Sequence, residues 1–162
     1  MKRRAIAILV LLLIAAFITG CGQPAAGDQP LDEPTAGSGP TAVSHGGPVE
    51  DYGSLIDALR AAGATVEPAG EVEQPFFSVK GQIIQVNGVD VQVFEYEDEA
   101  AAQREAAKVG PDGSTFETII VDWVSPPHFY QKDRIIVLYV GDGAAIRQML
   151  ENALGAQFAG GE

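Results

Sequence analysis

Gln82-Ile83-Ile84-Gln85-Val86-Asn87-Gly88-Val89-Asp90-Val91-Gln92-Val93-Phe94-Glu95-Tyr96 decides how the rest of the chain is read. Asn-Gly is the dipeptide that a tight two-residue hairpin turn selects, because both of its central positions need a positive φ. Val89, Val91 and Val93 alternate with Asp90 and Gln92, so one face of the second strand is buried. The spacing predicts a hairpin of Gln82–Val86 and Val89–Tyr96.

Two further runs lie downstream. Thr118–Val124 and Arg134–Val140 are nearly continuous apolar segments and read as strands. Ile135-Ile136-Val137-Leu138-Tyr139-Val140 has the pattern of a central strand covered on both faces. An internal echo links the two halves. Pro75-Phe76-Phe77-Ser78-Val79-Lys80-Gly81-Gln82-Ile83-Ile84 aligns with Pro127-His128-Phe129-Tyr130-Gln131-Lys132-Asp133-Arg134-Ile135-Ile136. Both read as a short aromatic strand, a turn and a long apolar strand, and in each half a strand leads into a helix. Two related hairpin-plus-helix units, or convergent hairpin chemistry, account for it equally well.

Three helices complete the domain. Asp51–Ala62 carries Tyr52, Leu55, Ile56 and Leu59 at helical spacing and meets Gly63 at its end. Asp98–Val109 has acidic residues in its first turn, favourable against the helix dipole, and stops at Gly110-Pro111. Gly143–Leu154 shows a stripe of Ile146, Met149, Leu150, Ala153 and Leu154, with Asp142 placed to cap it. The expected class is α+β: a largely antiparallel sheet of four to six strands, with three helices mainly on one face. Glu50–Glu162, 113 residues, is long enough for one core.

Upstream the composition changes. Gly22–Val49 is rich in Gly, Pro, Ala, Ser and Thr, and Leu31, Val43 and Val49 are isolated. Such a stretch buries too little surface to offset its ordering entropy and reads as a flexible linker spanning roughly 30 Å. Before it, Met1-Lys2-Arg3-Arg4 gives a basic start and Ala5–Ile18 is an unbroken apolar run. As a helix that run rises about 21 Å, short of a ~30 Å hydrocarbon core, and no basic stop-transfer cluster follows it. This is the layout of a secretory signal. Its ending, Ile18-Thr19-Gly20-Cys21, resembles a bacterial lipobox, whose cysteine is diacylated and becomes the N-terminus after cleavage. The resemblance implies a signal peptide over 1–20, a lipidated Cys21 with linker over 21–49, and a domain over 50–162. Cys21 is the only cysteine, so an internal disulfide is excluded. An uncleaved anchor and a free exported thiol are the rival readings. Gly22 follows the cysteine where an aspartate would favour retention at an inner membrane, so in a two-membrane host the outer membrane is expected.

The chain has 10 basic and 22 acidic side chains, a net charge of −12. Without Lys2, Arg3 and Arg4 the balance is 7 against 22, or −15. Such a surface repels phosphate backbones, so nucleic acid is not an expected partner. It also opposes close approach to anionic lipid, which leaves the lipid on Cys21 as the expected sole membrane contact.

No catalytic constellation stands out. His128 is the one histidine of the domain, and as a general base it would need Asp122, Asp133 or a serine beside it. A strand position replacing Phe76 of the echoing segment is the simpler reading. Glu95, Glu97, Asp98 and Glu99 run from strand into helix, so their side chains diverge instead of forming a cation site. His45 lies alone in the linker. Gly141-Asp142-Gly143 reads as a helix start, without the lysine of a phosphate loop. Metal, nucleotide and haem motifs are absent, and no cofactor is expected. Phe76, Phe77, Trp123, His128, Phe129 and Tyr130 are the candidate ligand-binding residues, lining a groove or forming core. The domain resembles small exported lipoproteins through Pro75-Phe76-Phe77-Ser78-Val79, Val91–Tyr96, Pro127-His128-Phe129-Tyr130 and Leu154–Gly160. That resemblance implies no site residue beyond Cys21. The expected role is a lipid-anchored interaction module whose partner is an envelope protein or a small apolar ligand. An envelope hydrolase using His128, or a purely structural envelope protein, is the alternative.

Overall fold

Helix α1, Tyr52–Ala61, begins at a capping box. The Asp51 carboxylate accepts the Ser54 N–H at 2.8 Å, and the Ser54 hydroxyl accepts the Asp51 N–H at 2.9 Å. It ends in a Schellman motif: Gly63, at φ +90°, donates to the Arg60 carbonyl, and Ala64 donates to Leu59. A single computed structural model describes residues 47–161. The expected signal peptide, Cys21, His45 and the expected linker up to residue 46 therefore lie outside the described residues. Val49 is buried against α1 and belongs to the core.

Six strands, β1 (Val66–Val72), β2 (Gly81–Val86), β3 (Val89–Glu95), β6 (Pro127–Lys132), β7 (Ile135–Val140) and β8 (Ala159–Gly160), form one sheet. Its order is β1-β2-β3-β7-β6-β8, and every neighbouring pair is antiparallel. Helix α2 (Glu99–Ala106) follows β3, and α3 (Ala144–Leu154) follows β7. The strands β4 (Thr115–Phe116) and β5 (Ile119–Ile120) form a separate two-stranded sheet, and Phe116 also bridges Val109. The fold is thus α+β with an antiparallel sheet. Asn87 and Gly88 both have positive φ, 53° and 80°, as the hairpin between β2 and β3 requires. The Asn87 side chain also accepts the Thr65 N–H at 2.9 Å, fixing the entry to β1.

The core has two parts, one on each face of the sheet. Leu55, Ile56 and Leu59 of α1 and Ile146, Leu150 and Leu154 of α3 pack on Ile84, Val91, Val93, Val137 and Tyr139. The opposite face holds Phe94, Ile136, Leu138 and Phe129, covered by Ala102 of α2 and by Phe76, Phe77 and Phe116 from irregular segments. β7 lies between them, buried on both sides as its apolar run predicts.

Several local expectations change. The helices lie mainly on one face, as expected, but α2 covers the other. Thr118–Val124 contributes only the two residues of β5, because the Val121 N–H is taken by Ser114 O and the Trp123 indole N–H by Gly113 O, both at 2.9 Å. These bonds tie the segment to the 110–116 turn and not to the six-stranded sheet. Pro75–Val79 is a turn and not a strand, whereas its echo, Pro127–Gln131, lies in β6. The two echoing segments therefore match only over β2 and β7, and their following helices lie on opposite faces. Asp142 does not cap α3. Gly143 is the N-cap, and its N–H donates to the Tyr139 hydroxyl at 2.9 Å. β1, with Pro68 and a bulge before Gly70, goes unread in the sequence because both residues argue against a strand interior. At a sheet edge they are tolerated, and they blunt that edge against further pairing. Among the described residues no helix is long and apolar enough to cross a membrane.

Candidate functional site

The six candidate ligand-binding residues divide by the sheet they flank. Successive strand side chains point to opposite faces. On β6, Phe129 faces the aromatic side, while Tyr130 packs in the core beneath α1 and α3. His128 stacks on its cross-strand partner Tyr139, a member of that same helix-side core, at 5.8 Å and 18° between ring planes. The structure brings Phe76, Phe77, Trp123 and Phe129 together and leaves His128 and Tyr130 on the other side.

His128 is only 2% exposed. Its ring nitrogens face the Gln157 side-chain oxygen at 2.7 Å and the Gly141 carbonyl at 3.1 Å. Neither partner is a carboxylate or a hydroxyl, so the contacts that would make this histidine a general base, to Asp122, Asp133 or a serine, are replaced by an amide and a peptide carbonyl. The ring links β6 to the turn before α3 and to the segment before β8. The Gln157 amide goes on to donate to the Gly160 carbonyl at 3.3 Å, continuing the link to β8. Tyr130 has no hydrogen-bond partner for its hydroxyl among the described residues, and burial pushes that phenol up to about 12.

The aromatic side is held differently. Phe76 stacks on Phe116 at 3.8 Å, Phe77 packs on Phe94 at 4.7 Å, and Phe129 lies 5.8 Å from Phe116 and 6.2 Å from Trp123. The turn bearing Phe76 and Phe77 is tied down at two points. Gln74 donates to Gln92 of β3 at 2.9 Å, and the Ser78 N–H donates to Glu105 of α2 at 3.4 Å. Glu105, nearly buried, also pairs with Lys108 at 2.7 Å. Asp112 organises the turn that presents Phe116, accepting the N–H groups of Ser114 and Thr115 at 3.0 and 3.1 Å. Those two backbone donors hold its carboxyl below its ordinary value.

Between the two turns lies a groove of about 230 Å³. Pro75, Phe76, Phe77, Phe116, Ile119, Lys108, Ser78 and Glu117 line it, although Phe76, Phe77 and Phe116 are themselves largely buried in the core. Its size suits one side chain or a small apolar group and not a drug-sized ligand. Phe116, Glu105 and Lys108 are absent from the sequence candidates. Phe116 carries a faint signal as the one aromatic in a polar stretch, but Glu105 and Lys108 read as ordinary residues of a helix end. In the acidic cluster, Glu95 pairs with Arg134 at 2.6 Å and Asp98 caps α2 by accepting the Ala101 N–H at 2.7 Å. Among the described residues no three His, Cys, Asp or Glu side chains converge on a possible metal position. The chain matches no family model, no curated protein and no solved structure.

Proposed function

We propose that this chain is an exported lipoprotein that holds an acidic α+β interaction module outside the cytoplasmic membrane through acyl chains on Cys21. The observation that carries the proposal is the order of the N-terminal residues: a basic start, fourteen apolar residues, then Ile18-Thr19-Gly20-Cys21 with the only thiol of the chain. Stable anchoring takes two lipid signals, since each buried methylene contributes about 0.8 kcal/mol and a single chain holds only marginally. A diacylated cysteine meets that need without help from the protein surface. Binding in place of catalysis is supported by His128, whose ring nitrogens are occupied by Gln157 and Gly141. Interaction is supported by the groove beside Phe76 and Phe116, where apolar residues and the charged Lys108 and Glu117 line one concavity of side-chain size. Growth with a labelled fatty acid tests the anchor. The wild-type chain is expected to carry label and to sediment with membranes, and Cys21→Ser to lose both. Label retained on the serine variant would falsify the assignment.

A further inference from the structure

Among the described residues the large apolar side chains open to solvent are Ile119, Ile120, Val124 and Phe158. Three of the four lie within six residues of one another. Ile120 is 81% exposed and Val124 is 97% exposed, so neither is covered by its own fold. Trp123 sits between them, half-buried. Its ring packs on Phe129 at 6.2 Å, and Phe158 packs on the same ring at 6.1 Å, so the loop and Phe158 flank one point of the aromatic side.

The loop is built to project. Its base is the β4–β5 ladder, and the Val121 N–H and Trp123 indole N–H are both bonded to the preceding turn at 2.9 Å. Pro126 and Pro127 stiffen its exit into β6. Ile120 and Val124 are therefore presented on restrained backbone, and little ordering remains to be done when they are covered.

The chain outside the described domain indicates what covers them. About 25 residues, Gly22–Gly46, separate Cys21 from the first described residue. Even fully extended they reach no more than about 90 Å, so a domain anchored at Cys21 stays in the neighbourhood of the bilayer. Tethering of this kind gives an effective concentration on the order of millimolar, at which a weak contact is occupied. Trp is enriched at the headgroup level, and with its N–H already bonded to the Gly113 carbonyl Trp123 brings its ring to that level. The loop's charged residues, Glu117 and Asp122, are both acidic, so anionic headgroups repel the loop and a zwitterionic surface does not. A net charge of −15 also opposes the meeting of two copies of the chain across this patch.

We propose that the Ile119–Val124 loop dips into the bilayer that holds Cys21, giving the domain a second, apolar membrane contact and a fixed orientation. The proposal rests on the anchored reading for its setting, but the contact can be tested apart from it. Cys21 is the only thiol and Trp123 the only tryptophan of the chain. The chain from Cys21 onward is coupled through that thiol to a maleimide-bearing lipid in phosphatidylcholine vesicles, with or without bromine on the acyl chains. Chemical coupling reproduces the tether whether or not a cell acylates the cysteine. The expected result is Trp123 emission quenched at least twofold in brominated vesicles, with quenching largely lost in the Ile120→Asp/Val124→Asp double variant. Unquenched emission from verified coupled protein, or equal quenching of the double variant, overturns the proposal. So does a dimer of the uncoupled chain in sedimentation equilibrium that the same double substitution dissociates, since the patch then belongs to a second copy. Loss of the anchor in cells with quenching intact here counts against acylation of Cys21 and not against the loop.

Discussion

The two faces of the sheet solve the same problem with different materials. On one face α1 and α3 lay aliphatic stripes over Ile84, Val91, Val93 and Val137. On the other, one short helix buries mainly Ala102, and the remaining cover comes from aromatic rings in turns. A helix stripe closes its face because its apolar residues recur every turn on a rigid rod. Rings carried by turns cover their face without that regular repeat, and a groove lies between two of the turns. The groove beside Phe76 and Phe116 and the projecting Ile119–Val124 loop both lie on this second face. The helix face has concavities of its own beside α1 and α3, but the exposed Ile120 and Val124 side chains belong to the aromatic side.

The comparison breaks most sharply at the core. Phe129 is fully buried at the centre of the ring cluster, and Phe129→Ala is expected to cost about 3–5 kcal/mol in urea unfolding. Leu150→Ala, fully buried under α3, is expected to cost about 2–5 kcal/mol. A loss below 1 kcal/mol for Phe129 alone would mean that the ring cluster is a surface feature and not half of the core.

A smaller effect is expected at the cap of α1. Asp51→Ala removes the capping box and should cost about 1 kcal/mol. The Ser54 N–H and hydroxyl, with Arg134 at 3.2 Å, hold the Asp51 carboxyl below its ordinary value. Its folded pKa is thus lower than its unfolded one. The stability it contributes is fully present above the unfolded value near 3.8 and is lost as pH falls through the folded value. Urea midpoints of wild type and Asp51→Ala should therefore converge in acid. A gap that stays constant down to pH 2 would assign the effect to the backbone of the cap instead of its charge.

The smallest effect belongs to the projecting loop. Ile120→Asp should change stability by no more than about 0.5 kcal/mol, because the side chain it replaces touches mostly water. A larger loss would show that Ile120 is covered in solution and that the aromatic side is less open than its exposure indicates.

Much of this fold is legible in local sequence. Asn87-Gly88 specifies its hairpin, Asp51 and Gly63 bracket α1, and the uninterrupted run at Ile135–Val140 marks the central strand. Each of these signals acts over a few residues through turn geometry, capping or burial on both faces. The errors arise where a distant partner decides. Thr118–Val124 is as apolar as a buried strand, yet hydrogen bonds to Ser114 and Gly113 hold it outside the sheet. Pro75–Val79 resembles Pro127–Gln131, but only the second has an open strand beside it, β7, to pair with. β1 reads as broken by Pro68 and Gly70 and is a strand because an edge position forgives both. The candidate site was partly legible for the same reason. Phe76, Phe77, Trp123 and Phe129 declare themselves as aromatics, whereas Phe116, Glu105 and Lys108 acquire meaning only through what packs against them.

The residues alone determine the helices, the hairpin, the acidic charge and the motif at Cys21, because propensity, periodicity and turn chemistry are local. Only the tertiary structure decides which side of the sheet each aromatic occupies. Strand side chains alternate, so neighbours such as Phe129 and Tyr130 part company across the sheet, while Phe76 and Phe116, forty residues apart, meet ring to ring. That partition places His128 in the packing of the helix face and leaves the groove and the apolar loop on the aromatic one.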